Sequence, residues 1–243
     1  MKRIIITIFT IFLCGTAFAQ FSDSVHYYGK FASTGSINKT NEGNSYLLSN
    51  MFKVGVSRKK IVMNGFGSWV YGESNGELTN NDFSTSLDVS LFRAVKQIYY
   101  WGLANYDKSF SLKINDRFQS GAGIAYNFLD RKTAYLSLSD GFIWEKGDLF
   151  IDDTLHDVYD AVRNSVRISY KFVFANIVTI DGTQFFQPDI TDISDYNLKS
   201  VNNIAFALRK WIAITASMTY NKVTRTGREN LIFTYGLTLE KYF

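Results

Sequence analysis

The sequence predicts an all-β protein, a transmembrane antiparallel up-and-down β-barrel of about twelve strands, with ten as the alternative count. The last stretch, Asn230–Phe243, alternates between apolar residues and smaller or polar ones and ends on an aromatic residue, which is typical of the closing strand of an outer-membrane barrel. The chain holds 21 Phe and 15 Tyr but only 1 Pro. No apolar run is long enough to cross a bilayer as a helix. The residues that mark the closing strand are Phe233, Tyr235, Leu237, Leu239 and Phe243.

The first residues read as a secretory signal peptide. Two basic side chains, Lys2 and Arg3, precede a short apolar stretch, and Ala17 and Ala19 provide a small-x-small cleavage site. We therefore expect a cleaved signal peptide at 1-19 and one barrel domain at 20-243. This predicts export to the cell outer membrane of a Gram-negative bacterium, where outer-membrane lipid and the barrel-assembly machinery are the expected partners.

The composition makes several function classes improbable. The single cysteine, Cys14, leaves with the signal peptide, so the mature chain has neither disulfides nor a cysteine metal site. His26 and His156 are isolated from each other in sequence, and we expect no metal and no other cofactor. Basic and acidic side chains nearly balance, at 26 against 22 for the whole chain, which gives no support to nucleic-acid binding.

Twelve alternating runs divide the mature chain. Most are longer than the roughly 9–11 residues that a tilted strand needs to cross the hydrocarbon. The runs are Ser24–Ile37, Ser45–Ser57, Lys60–Gly72, Asp82–Arg93, Gln97–Tyr106, Asn115–Phe128, Thr133–Glu145, Asp160–Phe174, Ile177–Gln187, Tyr196–Arg209, Ile212–Val223 and Glu229–Phe243.

The connections between the runs alternate in length, which favours a barrel over a soluble sandwich. Short turns belong on the periplasmic side with both termini, and longer polar loops on the outer side. The short connections lie near Arg58, Val95, Asp130, Asn176 and Lys210. The longer ones are Asn38–Asn44, Glu73–Asn81, Asp107–Ile114, Lys146–Tyr159, Phe185–Asp195 and Thr224–Arg228.

Charged residues fall on the polar parity of several runs, which predicts that they line the lumen. The eighth run is the clearest, with basic residues at even spacing opposite Val166, Ile168 and Phe172. Such a ladder would favour anions in an open pore, or it would pair with inward carboxylates and fill the interior. The predicted lumen-lining residues are Arg117, Arg163, Arg167, Lys171, Asp88, Glu145 and Glu240.

Two features do not fit a simple alternation. Asp140 falls on the apolar parity of the seventh run, and we expect a β-bulge at Asp140 and Gly141 to turn its carboxylate inward. The third and fifth runs are apolar on both parities, so their faces cannot be assigned from the sequence.

A lipid hydrolase is one enzyme class built on twelve strands. The motif of outer-membrane phospholipase A has a catalytic histidine, one residue, and then Ser-Asn-Gly. Here Gly72 stands where the base belongs, before Ser74, Asn75 and Gly76. A serine without its base is not an activated nucleophile, so we expect an outer-loop turn and no enzyme activity.

Two predicted outer loops are acidic. Clusters of carboxylates can bind calcium or magnesium, but no calcium-loop spacing occurs here, so we expect solvated loop charge. The residues are Asp148, Asp152, Asp153 and Asp157 in one loop and Asp189, Asp192 and Asp195 in the other.

The stretch 117–148 resembles the salt-induced outer-membrane protein family (YdiY-like, a domain of unknown function). The family pattern is a Gly-x-Gly-x-x-Tyr strand, a short turn with Asp, and a Leu-rich strand that ends in an aromatic residue and Glu. The matching positions are Gly121, Gly123, Tyr126, Asp130, Leu136, Leu138, Trp144 and Glu145, with Gly43, Asn44 and Ser45 as an early hairpin. The resemblance implies an outer-membrane barrel of unassigned function.

Three functional hypotheses follow. The leading one is a non-enzymatic structural or small-solute barrel, favouring anions if its lumen is open. The second is an interaction barrel that docks an outer-membrane or surface partner through its acidic loops. The third is the phospholipase-like hydrolase, which the missing histidine argues against.

Overall fold

A computed structural model describes residues 27–40, 43–58, 61–92, 97–151 and 155–242. The predicted signal peptide, His26, Asp152, Asp153 and Phe243 lie outside these residues. The described chain is almost entirely β-strand, with a short 3-10 helix at Thr224–Thr226. The strands are β1 (Tyr27–Lys39), β2 (Asn44–Arg58), β3 (Ile61–Ser74), β4 (Glu77–Phe92), β5 (Ile98–Ser109), β6 (Ile114–Asp130), β7 (Ala134–Phe150), β8 (His156–Asn164), β9 (Val166–Phe174), β10 (Val178–Pro188), β11 (Tyr196–Arg209), β12 (Ile212–Val223) and β13 (Arg228–Tyr242). Among the described residues, no helix has the length and apolarity needed to cross a membrane.

The strands close into a ring. Apart from β8 and β9, which both pair with β7, each strand pairs antiparallel with its neighbours in sequence, and the ring closes because β1 also pairs with β13. Phe31 of β1 faces Leu239 of β13, so the predicted closing strand does close the barrel. Closure leaves the lipid-facing sheet without the unpaired edge that a bilayer would penalise.

The segments β8 and β9 form a single barrel strand. Both pair with β7, and their register does not shift: Arg163 faces Ile143, and Arg167 faces Ser139. The interruption at Ser165 therefore inserts no residue. With these two segments counted together the structure is a closed antiparallel barrel of twelve strands, as predicted.

The end of the barrel where β1 begins and β13 ends is called the base here, and the opposite end the rim. The base connections, at 59–60, 93–97, 131–133, 175–177 and 210–211, are short as predicted. The rim connections, at 40–43, 75–76, 110–113, 151–155, 189–195 and 224–227, are shorter than predicted. The strands continue into the predicted loops: the β3–β4 ladder reaches Ser74 and Glu77, and only a two-residue turn remains. Asn75 and Gly76 make this turn with φ of 54° and 82°, the left-handed pair that tight hairpins need.

Side chains alternate between the lumen and the outer surface. In β7, Leu138, Phe142 and Trp144 are exposed on the outside, while Glu145 and Leu149 are buried inside. The predicted faces of the eighth run are confirmed, because Ile168 is exposed on the outside and Arg163 is buried inside. The outward apolar side chains of the closing strand are Leu231, Phe233, Tyr235, Leu237 and Leu239.

The expected bulge at Asp140 is wrong. The β6–β7 register runs without a shift through Gly123 opposite Gly141 and Ile124 opposite Asp140. The Asp140 carboxylate therefore points outward, where it accepts hydrogen bonds from its neighbour Gly141 N at 2.9 Å and from Asn164 Nδ2 at 2.7 Å. The alternation of the strand turns this carboxylate toward lipid, where no water is available. The two donors supply the hydrogen bonds that water would otherwise make.

The structure also assigns the fifth run. Strand β5 turns Tyr99, Trp101 and Leu103 inward, where they pack against Ala125 and Ile143. An apolar cluster inside the lumen explains why this strand is apolar on both parities. The third run is similar, because exposed Ile61, Met63 and Trp69 face outward while alternating residues from Val62 to Val70 face inward.

Candidate functional site in the lumen

The inward face of the barrel carries the residues that the sequence indicated. Arg117, Arg163, Arg167, Lys171, Asp88, Glu145 and Glu240 all lie on inward parities of their strands. The structure divides them into a packed group near the rim and a more exposed group toward the base. The two groups have different consequences for a solute.

The packed group centres on an ion pair with no exposed side-chain surface. Arg163 Nε of β8 donates to Glu145 Oε1 of β7 at 2.8 Å, and the side chains of both residues are 0% exposed. Glu145 also accepts from Tyr159 Oη at 2.7 Å and from Asn197 Nδ2 at 3.0 Å, while Gln119 donates to its second oxygen. Each oxygen of this carboxylate therefore has two donors, which is what makes burial of its charge tolerable.

The rest of the Arg163 guanidinium holds the loop at 189–195. Its Nη2 donates to Asp195 Oδ1 at 3.1 Å and its Nη1 to Asp195 O at 3.0 Å. Asp195 in turn accepts two hydrogen bonds from Arg225, whose guanidinium lies 4.1 Å from the ring centroid of Tyr159. The network thus connects the wall of the barrel to the rim.

Arg117 pairs with a carboxylate that sequence reasoning missed. Its Nη2 donates to Asp107 Oδ2 of β5 at 3.0 Å, and Asn105 Nδ2 donates to the same oxygen at 2.6 Å. Asp107 lies on the inward parity of β5, which extends to Ser109. The predicted fifth run ends at Tyr106, so the sequence places Asp107 in the connection Asp107–Ile114 and predicts no face for it.

A second ion pair crosses the lumen closer to the base. Arg167 Nη1 of β9 donates to Asp88 Oδ2 of β4 at 3.2 Å, although β5, β6 and β7 lie between these strands in the ring. The same guanidinium lies 5.4 Å from the ring centroid of Trp101 and 5.8 Å from that of Phe185. This pair therefore links two parts of the wall that are not neighbours in the ring.

An apolar group, here called the rim cluster, lies in the lumen above the charged network. Its members come from β6, β7, β8 and β12 and from the connection at 110–113. That connection is held inward by Asp82, whose carboxylate accepts from Ser109 Oγ at 2.7 Å and from Ser111 Oγ at 2.8 Å. Asn230 Nδ2 of β13 reaches Ser111 Oγ from the opposite wall at 2.7 Å. The rim cluster consists of Leu112, Ile114, Leu149, Tyr159, Ala161 and Val223.

Toward the base the inward charges are looser. Lys171 faces Asp181 in the β9–β10 register, but within the described residues it forms no ion pair. Asp181 accepts from Asn203 Nδ2 at 2.9 Å instead. Glu240 faces Lys30 in the β1–β13 register. The base half of the lumen thus combines these looser charges with the buried apolar side chains of Tyr99, Trp101 and Ala125.

The acidic rim residues are largely engaged within the chain. Asp157 and Asp195 both pair with Arg225, and Asp148 Oδ1 lies 2.8 Å from His156 Nδ1. Hydrogen bonds from the hydroxyl and amide of Ser194 hold the pKa of Asp192 below its ordinary value. Burial alone would raise the pKa of Asp189, but hydrogen bonds from Thr191 outweigh it and lower that pKa. Asp189, Asp192, Asp195 and Arg225 border a cavity of about 370 Å³. The described residues include no group of three or more acidic, histidine or cysteine side chains suited to a metal ion.

The predicted Ser-Asn-Gly turn is a hairpin turn at the rim. Ser74 ends β3, and Asn75 Oδ1 accepts from Asn44 N at 2.9 Å, which links the turn to β2. His156, the histidine within the described residues, pairs with Asp148.

These features define the class of protein: an outer-membrane β-barrel, built like the porins and filled by its own side chains near the rim. The chain belongs to the family described as "Protein of unknown function, DUF481", whose sequence model matches residues 35–240. This confirms the resemblance to the YdiY-like proteins. No curated protein sequence matches the chain.

Solved barrels resemble the chain in fold. The NanC porin is 11% identical with a TM-score of 0.50, and the alignment covers 89% of this chain and 99% of the porin. The translocator domain of the autotransporter NalP from Neisseria meningitidis is 11% identical with a TM-score of 0.48, covering 100% and 94%. At such identities the likeness extends to the fold alone.

Proposed function

We propose that this protein is a structural barrel of the outer membrane whose lumen is closed at rest, and that it is not an open solute channel. The observation that carries the proposal is the presence of two separate barriers across the interior. The rim cluster joins β6, β7 and β8 to β12 near the rim, and the Arg167–Asp88 pair links β9 to β4 farther from it. Either barrier alone would narrow the path, and a solute would have to pass both.

The charge pairing supports a filled lumen over an anion pore. A pore that favours anions needs cationic side chains whose charge is available to the solute. Three of the four predicted lumenal cations, Arg117, Arg163 and Arg167, are instead neutralised at close range by carboxylates.

The likeness to porins supports insertion with the base toward the periplasm. In bacterial barrels the termini and the short turns lie on that side. Export through a cleaved signal peptide at 1-19 and insertion by the barrel-assembly machinery complete this proposal. We also propose that the barrel is not an enzyme, since Ser74 lies in a hairpin without a histidine beside it in the described chain.

The experiment is single-channel recording of the refolded mature chain in planar lipid bilayers. A general porin inserted in the same membranes serves as the positive control, and heat-modifiable migration in SDS gels confirms folding. We expect no conductance steps from the wild type or from Arg167→Glu, because the rim cluster is intact in both. Stepwise conductance of the wild type, with an ion selectivity that Arg167→Glu changes, would contradict the proposal.

A further inference from the structure

A carboxylate faces outward from the middle of the wall. Asp140 lies on the outward parity of β7 between Leu138 and Phe142, opposite Ile124 of β6. Its two hydrogen bonds, from Gly141 and Asn164, leave part of the acceptor capacity of a carboxylate unused. A charged group inside the hydrocarbon is costly and calls for a partner.

A second outward polar group lies on β9, β10 and β11. Tyr170 Oη donates to Asn202 Oδ1 at 2.6 Å, and Gln184 Nε2 donates to the same oxygen at 2.8 Å. Asn202 Nδ2 donates to Ser200 Oγ at 3.0 Å. Each amide group carries two N–H donors, and within the described part of the chain these bonds use one from each. One N–H donor of Gln184 and one of Asn202 therefore remain on this part of the outer surface.

An apolar groove separates the acceptor from the donors. Val166 and Ile168 of β9 border it together with Phe186 and Leu198, and its volume is about 130 Å³. Gln184 also lines it, so one of the two donor amides opens directly onto the groove, and Asn202 lies beside it through its hydrogen bond with Gln184. The polar wall face, defined here as Asp140, Asn164, Val166, Ile168, Gln184 and Asn202, thus has an acceptor on one flank and donors on the other.

We propose that the polar wall face is the contact between two copies of this chain in the membrane. A two-fold contact is self-complementary, so that residue i meets residue j of the partner and j meets i. Rotation about an axis near Val166 brings the Asp140 carboxylate of each copy toward the Gln184 and Asn202 amides of the other. The same arrangement then gives a hydrogen-bond partner to the Asp140 carboxylate and to the remaining amide N–H groups. Acyl chains can do neither, because they have no hydrogen-bonding groups.

The test is thiol cross-linking in native outer membranes. Cys14 is the only cysteine of the sequence and lies in the predicted signal peptide, so one introduced cysteine reports one position. Val166→Cys places the thiol in the polar wall face, and Leu87→Cys is the matched control on outward β4. With a short bismaleimide we expect a cross-linked homodimer for Val166→Cys and none for Leu87→Cys.

A second variant distinguishes a specific contact between two copies from random collision in the membrane. Adding Asp140→Leu to Val166→Cys removes the acceptor, and we expect about tenfold less dimer, the change that a loss of about 1.4 kcal/mol produces. Gln184→Leu, which removes a donor from the other flank of the same contact, replaces it if Asp140→Leu does not fold by the heat-modifiability assay. Equal dimer at both cysteine positions, monomer alone, cross-linking to a different protein, or dimer insensitive to the substitution would each overturn the proposal. The conductance experiment is independent of all these outcomes.

Discussion

At the scale of single residues, the position of Trp101 depends on two glycines that face each other across β6 and β7. Gly123 pairs with Gly141, and the Trp101 ring lies over both. A Cβ added at Gly123 would lie 2.2 Å from Asp140 O and 2.7 Å from Trp101 Cε2. A Cβ at Gly141 would lie 2.6 Å from Trp101 Cζ2. The glycines therefore give the lumen room for its largest side chain.

We expect Gly123→Ala to lower the free energy of unfolding by about 1–3 kcal/mol, the usual cost of overpacking a filled interior. Backbone and ring both limit the space, so the strand itself would have to shift. Gly67→Ala is the control, because a Cβ there meets nothing within 4 Å. Urea unfolding in lipid vesicles measures both variants. Equal stability of the two would show that the Trp101 ring simply moves aside.

The inward position of a lumenal residue can be predicted from the sequence where its strand alternates clearly between apolar and polar residues. Arg163 and Glu145 lie on clearly alternating runs, and internal pairing was one of the two sequence-based alternatives for them. Their connection to Asp195 and Arg225 could not be predicted, because both partners lie in rim connections without periodicity. A face follows from a two-residue period, whereas a loop conformation depends on particular hydrogen bonds.

At the scale of elements, the strand faces follow from the sequence more reliably than the strand ends. A strand ends where its ladder stops, and polar residues continue the ladders of β3 and β4 as far as a two-residue turn. Polar residues do not by themselves mark a loop, so the predicted outer loops are too long. The predicted bulge at Asp140 has a different origin: it would keep a carboxylate away from lipid, but the alternation continues through this residue.

The rim connection at 189–195 is expected to loosen in acid. Asp189 and Asp192 organise it by accepting hydrogen bonds from Thr191 and Ser194. The pKa of each carboxyl is lowered in the folded chain, so their contribution to stability is present above the unfolded pKa, near 3.9. It is lost as the pH falls through the lower folded value.

An NMR titration of the loop amides measures this effect. Ser194→Ala removes the main cause of the Asp192 shift, so we expect the midpoint for Asp192 to move up toward 3.9. Thr191→Ala is the matched variant, since it moves the midpoint of Asp189 and leaves Asp192 unchanged. Midpoints insensitive to both substitutions would show that these hydrogen bonds do not set the pKa values.

At the scale of the whole molecule, a twelve-stranded ring falls between barrels that side chains fill and barrels that leave a channel. In this barrel the filling of the lumen by side chains differs along the barrel axis. The rim half holds the rim cluster and the tightly paired charges, while the base half combines looser charges with the buried cluster around Trp101. The number of strands alone does not predict how far the lumen is filled, because the filling depends on which inward side chains reach across the ring.

The outer surface provides a test of the membrane-spanning barrel as a whole. Outward residues of β13 form a depth series from Leu231 near the rim to Leu239 near the base, with Tyr235 at the centre. An arginine facing lipid costs about 2–4 kcal/mol at the bilayer midplane and about 0–1 kcal/mol near the interface. Tyr235 and Leu231 are similarly exposed, at 60% and 66%, so exposure to water would not distinguish them.

We therefore expect Tyr235→Arg to destabilise the barrel in lipid vesicles by about 2–4 kcal/mol, and Leu231→Arg by no more than about 1 kcal/mol. Urea unfolding of both variants in the same lipid gives the comparison, and Tyr235→Leu is the control for loss of the aromatic ring. The two costs differ because the hydrocarbon of the bilayer surrounds the centre of the strand and ends near the rim. If both arginine variants were as stable as the wild type, this face would be in contact with water and the barrel would not span the membrane.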